Sequence, residues 1–161
     1  MDTRLKKIAV SCDEYGHLVE VLLTLLRNRG YEPIYYGPHA GEESRDWPIV
    51  TKSAIDEVLQ GNAEEAIVMC WTGTGCSIVA NKMPGIRAAL CLDAATARGA
   101  KEWNHANVLA LSMRITSEVV LKEILDAWFD TPFSADAWNV AQVDFVNELD
   151  DHRASESSKS E

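Results

Sequence analysis

Short apolar runs of strand length alternate along this chain with amphipathic stretches of helix length, and the alternation limits the fold more than any other feature. Residues 8–12 (IAVSC) form the first run. Residues 18–29 then repeat apolar side chains at helical spacing and stop at Gly30, a residue that caps helices because it turns left-handed without strain. Residues 32–36 (EPIYY) read as a second strand, and Pro33, with no N–H to give to a ladder, suits a sheet edge. Residues 47–60 read as the next helix. Three further runs, 66–70 (AIVMC), 87–91 (RAALC) and 108–111 (VLAL), are each followed by a helical stretch, over about 76–82, 94–103 and 117–129.

Five strands alternating with helices pair in parallel through right-handed crossovers. The expected architecture is therefore α/β, a flavodoxin- or Rossmann-like three-layer αβα sandwich around a five-stranded parallel sheet. Runs apolar on both faces, AIVMC above all, fit strands covered by helices on both sides. An extra C-terminal helix over 134–149 has no strand after it, so it either packs on a neighbouring subunit or caps its own core. A chain of 161 residues suits a single domain, taken as 1–150. The polar, low-complexity end from Asp150 (DDHRASESSKSE) reads as a frayed tail, with 151–161 disordered.

Composition excludes several classes of function. The formal net charge is −10 and no stripe of Lys and Arg stands out, which argues against a nucleic-acid partner. Residues 1–7 are charged and lead straight into a short apolar run, so they form neither a signal peptide nor a membrane span. The expected location is cytoplasmic. The four cysteines, Cys12, Cys70, Cys76 and Cys91, form no C-x-x-C pair, and a disulfide framework is not expected in such a chain.

Open parallel sheets bind ligands beyond the carboxyl ends of their strands, where the strand order reverses. With order 2-1-3-4-5 that point lies between the first and third strands. The loops there are 13–17 (DEYGH) and 71–75 (WTGTG). In the second, Gly73 and Gly75 let the backbone approach a ligand and aim successive N–H groups at an oxyanion or phosphate, although a tight turn without a ligand has the same composition. Better-known anion loops do not fit: a phosphate loop needs Lys and Ser/Thr where Cys76 and Ser77 stand, a dinucleotide fingerprint lacks its third glycine, and a cysteine phosphatase needs Arg where Cys76 stands. Cys70 is a candidate base or nucleophile, because a helix start favours thiolate, and Cys76 shares that environment. Filling a core is the alternative use of a strand-end cysteine. Asp13 and Glu14 follow the first strand, where they serve either a site or a helix cap.

The stretch 70–87 (CWTGTGCSIVANKMPGIR) resembles C-G-T-G-x-G-x-S-x-x-A-N-K-x-x-G-I-R of the type B ribose-5-phosphate isomerase and galactose-6-phosphate isomerase family. Residues 104–114 (NHANVLALSMR) resemble its N-x-x-N-V-L-x-x-G-x-R, Asp13 opens a loop similar to S-D-H-x-G, and Asp46-Trp47-Pro48 resembles its D-Y-P turn. The match runs along most of residues 6–148. The resemblance implies aldose–ketose isomerisation of a small sugar or sugar phosphate through an enediolate, with no metal and no cofactor. It also implies a homodimer, or a tetramer of such dimers, with sites shared between subunits.

Residue by residue, the resemblance makes Cys70 the base, with Cys76 a second candidate because another branch of the family places a glutamate there. Thr72 matches a hydroxyl that assists ring opening, and the amides of Gly73, Thr74 and Gly75 would steady the enediolate. Asp13 and Asn104 match sugar-binding positions, and Arg114 matches a phosphate-holding arginine. Several positions depart from the pattern. Trp103 replaces the ring-opening histidine, with His105 two residues on as a possible substitute. Glu14 and Tyr15 replace a histidine and a small residue, and Trp71 replaces the first glycine of the loop. The stretch 137–142 (AWNVAQ) carries neither of the family's two arginines. A phosphate dianion favours paired guanidinium partners. The substrate is therefore expected to be an unusual sugar phosphate or a sugar without phosphate, with Trp71, Trp103 and Trp138 offering flat faces to a sugar ring. Two other readings fit the same residues: a silent subunit of a heteromeric isomerase, and a non-enzymatic module that binds a sugar or anion.

Overall fold

The computed structural model describes the backbone of residues 5–157 and the side chains of residues 5–151. Three strands carry the centre of the sheet: β1 (Lys6–Cys12), β3 (Glu65–Cys70) and β5 (Val108–Ser112). Their inner residues are buried without alternation, which is what layers on both faces require. β2 (Tyr31–Tyr36) and β4 (Ala88–Leu90) are only partly buried and form the two edges. All pairings are parallel, and the order is β2-β1-β3-β5-β4.

That order corrects the expected 2-1-3-4-5. The run VLALS is buried at every position, so it takes the interior place beside β3. The shorter AAL is half-buried throughout and is left at the edge. The reversal between β1 and β3 is unaffected, because those two strands remain neighbours and the chain still leaves them on opposite sides.

The helices follow local signals. α1 (His17–Asn28) buries Val19, Leu22 and Leu26 along one stripe and ends before Gly30, whose φ is +81°. α2 (Trp47–Leu59) starts with a proline in its first turn. α3 (Thr74–Ala80) begins two residues earlier than the pattern indicated, which carries Cys76 inside the helix. α4 (Ala94–Glu102) and α5 (Glu118–Asp130) are capped by side chains: Asp93 accepts from the Thr96 amide and Ser117 from the Val120 amide. α1, α4 and α5 pack on one face of the sheet around Trp128, Leu109 and Leu111. α2 and α3 cover the other, around Ile55, Val68 and Cys76.

α6 (Ala137–Ser157) continues through the boundary set for the tail; residues 158–161 lie outside the described residues. It buries Val143 but leaves Trp138, Phe145, Val146 and Leu149 exposed. Two polar contacts hold it to the body: Arg87 donates to Asn147 Oδ1 at 3.0 Å, and the Gly85 amide donates to Asp150 Oδ2 at 2.7 Å. Among the described residues, no helix is long and apolar enough to cross a membrane.

Candidate active site

Strand register assembles the first half of the site. Cys12 pairs with Met69 and Cys70 pairs with Ser112, so Asp13 extends β1 directly beside Cys70 at the carboxyl end of the sheet. Successive residues of a strand point to opposite faces, which turns Asp13 and Cys70 to the same side. Cys70 is 6% exposed and belongs to the core beneath α2 and α3. Burial and the charge of its neighbours, Cys70 among them, raise the Asp13 carboxyl above its usual range.

The loop after Cys70 is fixed by contacts on both sides. The Met113 amide donates to the Cys70 carbonyl at 3.0 Å, and the Arg114 amide and Ser112 hydroxyl both reach the Trp71 carbonyl at 3.0 Å. Gly73 has φ +77°, and a Cβ there would lie 2.5 Å from Leu90 Cδ1 and 2.9 Å from the Leu111 carbonyl carbon. Glycine is required twice over at this position. Gly73→Ala is expected to cost about 2–4 kcal/mol, strain and overpacking together, read as a lowered urea midpoint. A variant as stable as the parent would show that the loop can take another path. Trp47 lies against the other glycine, its ring 3.1 Å from where a Gly75 Cβ would stand.

These restraints leave the Cys70 sulfur facing donors. The Cys76 thiol and the amides of Cys76, Gly73 and Gly75 hydrogen-bond it and, against the opposing effect of burial, bring its pKa down to about 5. Cys70 is therefore thiolate at neutral pH. The other thiols behave in the opposite way: burial pushes Cys12 and Cys91 up to about 12, and Cys76, beside Cys70 and fully buried, is also raised. All four are free. Around Cys70, Thr72 and Thr74 are exposed and share a hydrogen bond of 2.7 Å between hydroxyls. Trp71, Glu14 and Arg114 are exposed at the rim. Among the described residues, no group of three or more His, Cys, Asp or Glu side chains could hold a metal ion.

Trp103 and Asn104 lie elsewhere. They precede β5, whereas the Cys70 loop follows β3, and β5 runs parallel to β3 with Ala66 paired to Val108. Four residue steps of a strand, roughly 13 Å, separate the two ends. Trp103 and Asn104 line a different hollow of about 690 Å³, shared with Asn81, Arg87, Gln142 and Asp150 beneath α6. His105 is committed there as well: its ring stacks on Phe133 with centroids 4.6 Å apart, and its Nε2 meets the Ser134 carbonyl at 2.9 Å.

The motif residues beyond the glycine loop do structural work that the sequence pattern left undescribed. Asn81 closes two hydrogen bonds on Ala88, joining α3 to the edge strand β4. Asn107 bonds the Gly85 carbonyl and the Arg87 amide, and the Arg87 guanidinium donates to the His105 carbonyl. For Asn81, an amide side chain shortly before the turn glycine Gly85 was the available signal.

The family model for "Ribose/Galactose Isomerase" matches residues 8–145. The chain belongs to the ribose/galactose isomerase family. Members of this family are sugar-phosphate aldose–ketose isomerases. The chain is 32% identical to "Ribose-5-P isomerase B" of Listeria innocua over 89% of its own length and 97% of that protein. It is 31% identical to "D-erythrulose-4-phosphate isomerase" of Pectobacterium atrosepticum, covering 91% and 98%. The structure of Clostridium thermocellum ribose-5-phosphate isomerase B superposes with a TM-score of 0.85 at 36% identity, covering 91% of this chain and 99% of that one. In this ribose/galactose isomerase family member, the Cys70 thiolate stands at the strand end where the motif C-x-T-G begins.

Proposed function

We propose that this protein interconverts an aldose and a ketose through an enediolate, with Cys70 as the base and neither metal nor cofactor in the step. The observation that supports this most is the Cys70 sulfur itself, held as thiolate beside Asp13 and faced by three loop amides. In the open-chain aldose, the thiolate takes the proton from C2 and the electron pair moves onto the C1 carbonyl oxygen. The enediolate is steadied by the loop amides, which are fixed before the substrate arrives. A proton passes between O1 and O2, and Cys70 returns its proton to C1 to give the ketose. No net oxidation occurs. Asp13, with its carboxyl raised, holds a substrate oxygen and moves that proton. Thr72 assists ring opening.

The working unit is a homodimer. Trp103 and Asn104 cannot reach Cys70 of their own chain, yet with Gln142 they line one concave face beneath an α6 whose apolar residues stand exposed. A second copy that brings this face against Cys70 completes the site. That half presents Trp103 and a stretch from Ala137 to Gln142 without a basic residue, so the phosphate site is altered. Arg114 remains as one guanidinium at the rim, and the exposed Glu14, next to Asp13, disfavours an anion. The substrate is accordingly a sugar phosphate of unusual size or a sugar without phosphate, held against Trp71, Trp103 and Trp138. A relative named for a four-carbon sugar phosphate fits the first case.

The test is an assay of phosphorylated and free tetroses, pentoses and hexoses, with solvent deuterium uptake at the transferred position as the readout. Turnover of one of these with deuterium incorporation is the expected result. Efficient turnover of ribose 5-phosphate alone would defeat the altered-site reading, and no exchange with any sugar would defeat the isomerase reading.

A further inference from the structure

The core beneath the Cys70 loop contains a second thiol that no substrate can touch. Cys76 is 0% exposed, held between α3, β3 and α2. Its sulfur lies 3.2 Å from the Gly73 carbonyl and 3.6 Å from the Val68 carbonyl. Val68 and Cys70 share one face of β3, so the side chain of Cys76 reaches up beneath the Cys70 sulfur from the residue that also gives that sulfur an amide. A thiol has a single proton and is a weak donor. It has three acceptors within reach and can serve only one at a time.

We propose that Cys76 is a positioning residue for Cys70: its buried S–H turns to the Cys70 sulfur when Cys70 is ionised and to the Gly73 carbonyl when Cys70 is protonated. In the first state it adds a donor to the thiolate that no mobile water needs to supply. In the second it ties the left-handed Gly73 in place, so the amides keep their aim while the proton is on Cys70. A cysteine meets both needs in a fully buried place, because its sulfur packs as a small hydrophobe. A carboxylate at the same position would put a second negative charge under the thiolate.

The groups facing Cys70 from each side leave this donor distinct. β1 brings Asp13, with Glu14 exposed beyond it and Cys12 neutral. β5 brings Ser112, with Arg114 exposed past its end. α2 turns Val50, Thr51, Ala54 and Ile55 inward, and its Lys52 and Asp56 pair with each other at the surface. Apart from Cys76, α3 offers amides and the exposed, uncharged Thr74 hydroxyl.

The inference deepens the reading of Cys70 as base, and its test uses no sugar. Iodoacetamide alkylation of Cys70, followed by peptide mass spectrometry from pH 4 to 9, reports the thiolate fraction directly. Cys12 and Cys91 stay silent over that range because burial holds them protonated. Cys76→Ala is expected to move the midpoint up by at least one pH unit, slowing alkylation at pH 4, below both midpoints, by about tenfold or more. Cys76→Ser, which keeps a donor, is expected to fall between Cys76→Ala and the parent. Circular dichroism and the Tm of each variant confirm that the fold is retained. An unchanged midpoint in Cys76→Ala overturns the proposal, as does a Cys76→Ser variant that cannot be told from Cys76→Ala. Should the midpoint shift while a Cys70 variant keeps its isomerase activity, the positioning role stands and the assignment of the base falls.

Discussion

Cys70→Ala is expected to lower kcat by about 10²–10⁴-fold and to abolish solvent deuterium uptake at the transferred position, while KM changes little. That range is what a positioned base contributes to proton transfer. The substrate is held by other groups, so removing the sulfur removes an interaction made in the transition state rather than in the ground state. Cys70→Ser is expected to fail almost as badly, because a serine hydroxyl in the same nest stays protonated. The parent's pH profile gives a second readout. The base is the thiolate, and its pKa lies near 5. Activity is therefore present above that value, flat through neutrality, and lost as the pH falls through about 5 and the sulfur takes up its proton. A loss of less than tenfold in Cys70→Ala, or an acid limb near 6.5, would point to another base.

The parts of this site that could be read in the sequence are those that depend on chain order and local chemistry. AIVMC is apolar at every position, as a doubly covered strand must be, and residues that follow a strand lie at its carboxyl end. Together these placed Asp13 and the Cys70 loop side by side. Gly73 was legible as a glycine that lets the loop turn tightly and aim its amides, whereas its left-handed φ and its packing against Leu90 and Leu111 needed the fold. The same logic of order applies to Trp103 and Asn104: residues that precede a strand lie at its amino end, far from those that follow a parallel neighbour. Similarity of motif grouped them with Cys70, and only strand direction separates them.

Other features needed three dimensions. Which of two apolar runs sits beside β3 depends on how completely each is buried, and VLAL and RAAL look alike until the covering helices are in place. The commitment of His105 to Phe133 and Ser134 depends on a loop some thirty residues further on. α6 extends into a polar stretch with no apolar period to mark it as helix. The depth of Cys76 follows from α3 beginning at Thr74, a shift of two residues that puts the second candidate for the base into the core.

The largest effect on stability is expected at the opposite end of β3, from Glu65→Leu. Lys101 is 5% exposed, and its Nζ forms an ion pair with one oxygen of Glu65. The other Glu65 oxygen accepts from the indole of fully buried Trp128 at 2.5 Å. Lys101 Nζ also lies 4.7 Å from the ring centroids of both Trp128 and Phe133. One carboxylate thus compensates a buried ammonium and a buried indole N–H at once, joining β3, α4 and α5. Removing it leaves Lys101 with two aromatic faces and the Ala106 carbonyl at 3.4 Å, too little to replace hydration. The expected cost is about 3–5 kcal/mol, read from urea unfolding. The penalty belongs to the uncompensated charge rather than to the lost attraction, because a buried pair contributes little net stability over apolar residues of similar volume. Glu65→Leu combined with Lys101→Met should therefore recover most of the loss. A double variant as unstable as Glu65→Leu alone would instead assign the effect to the indole hydrogen bond or to packing around Trp128.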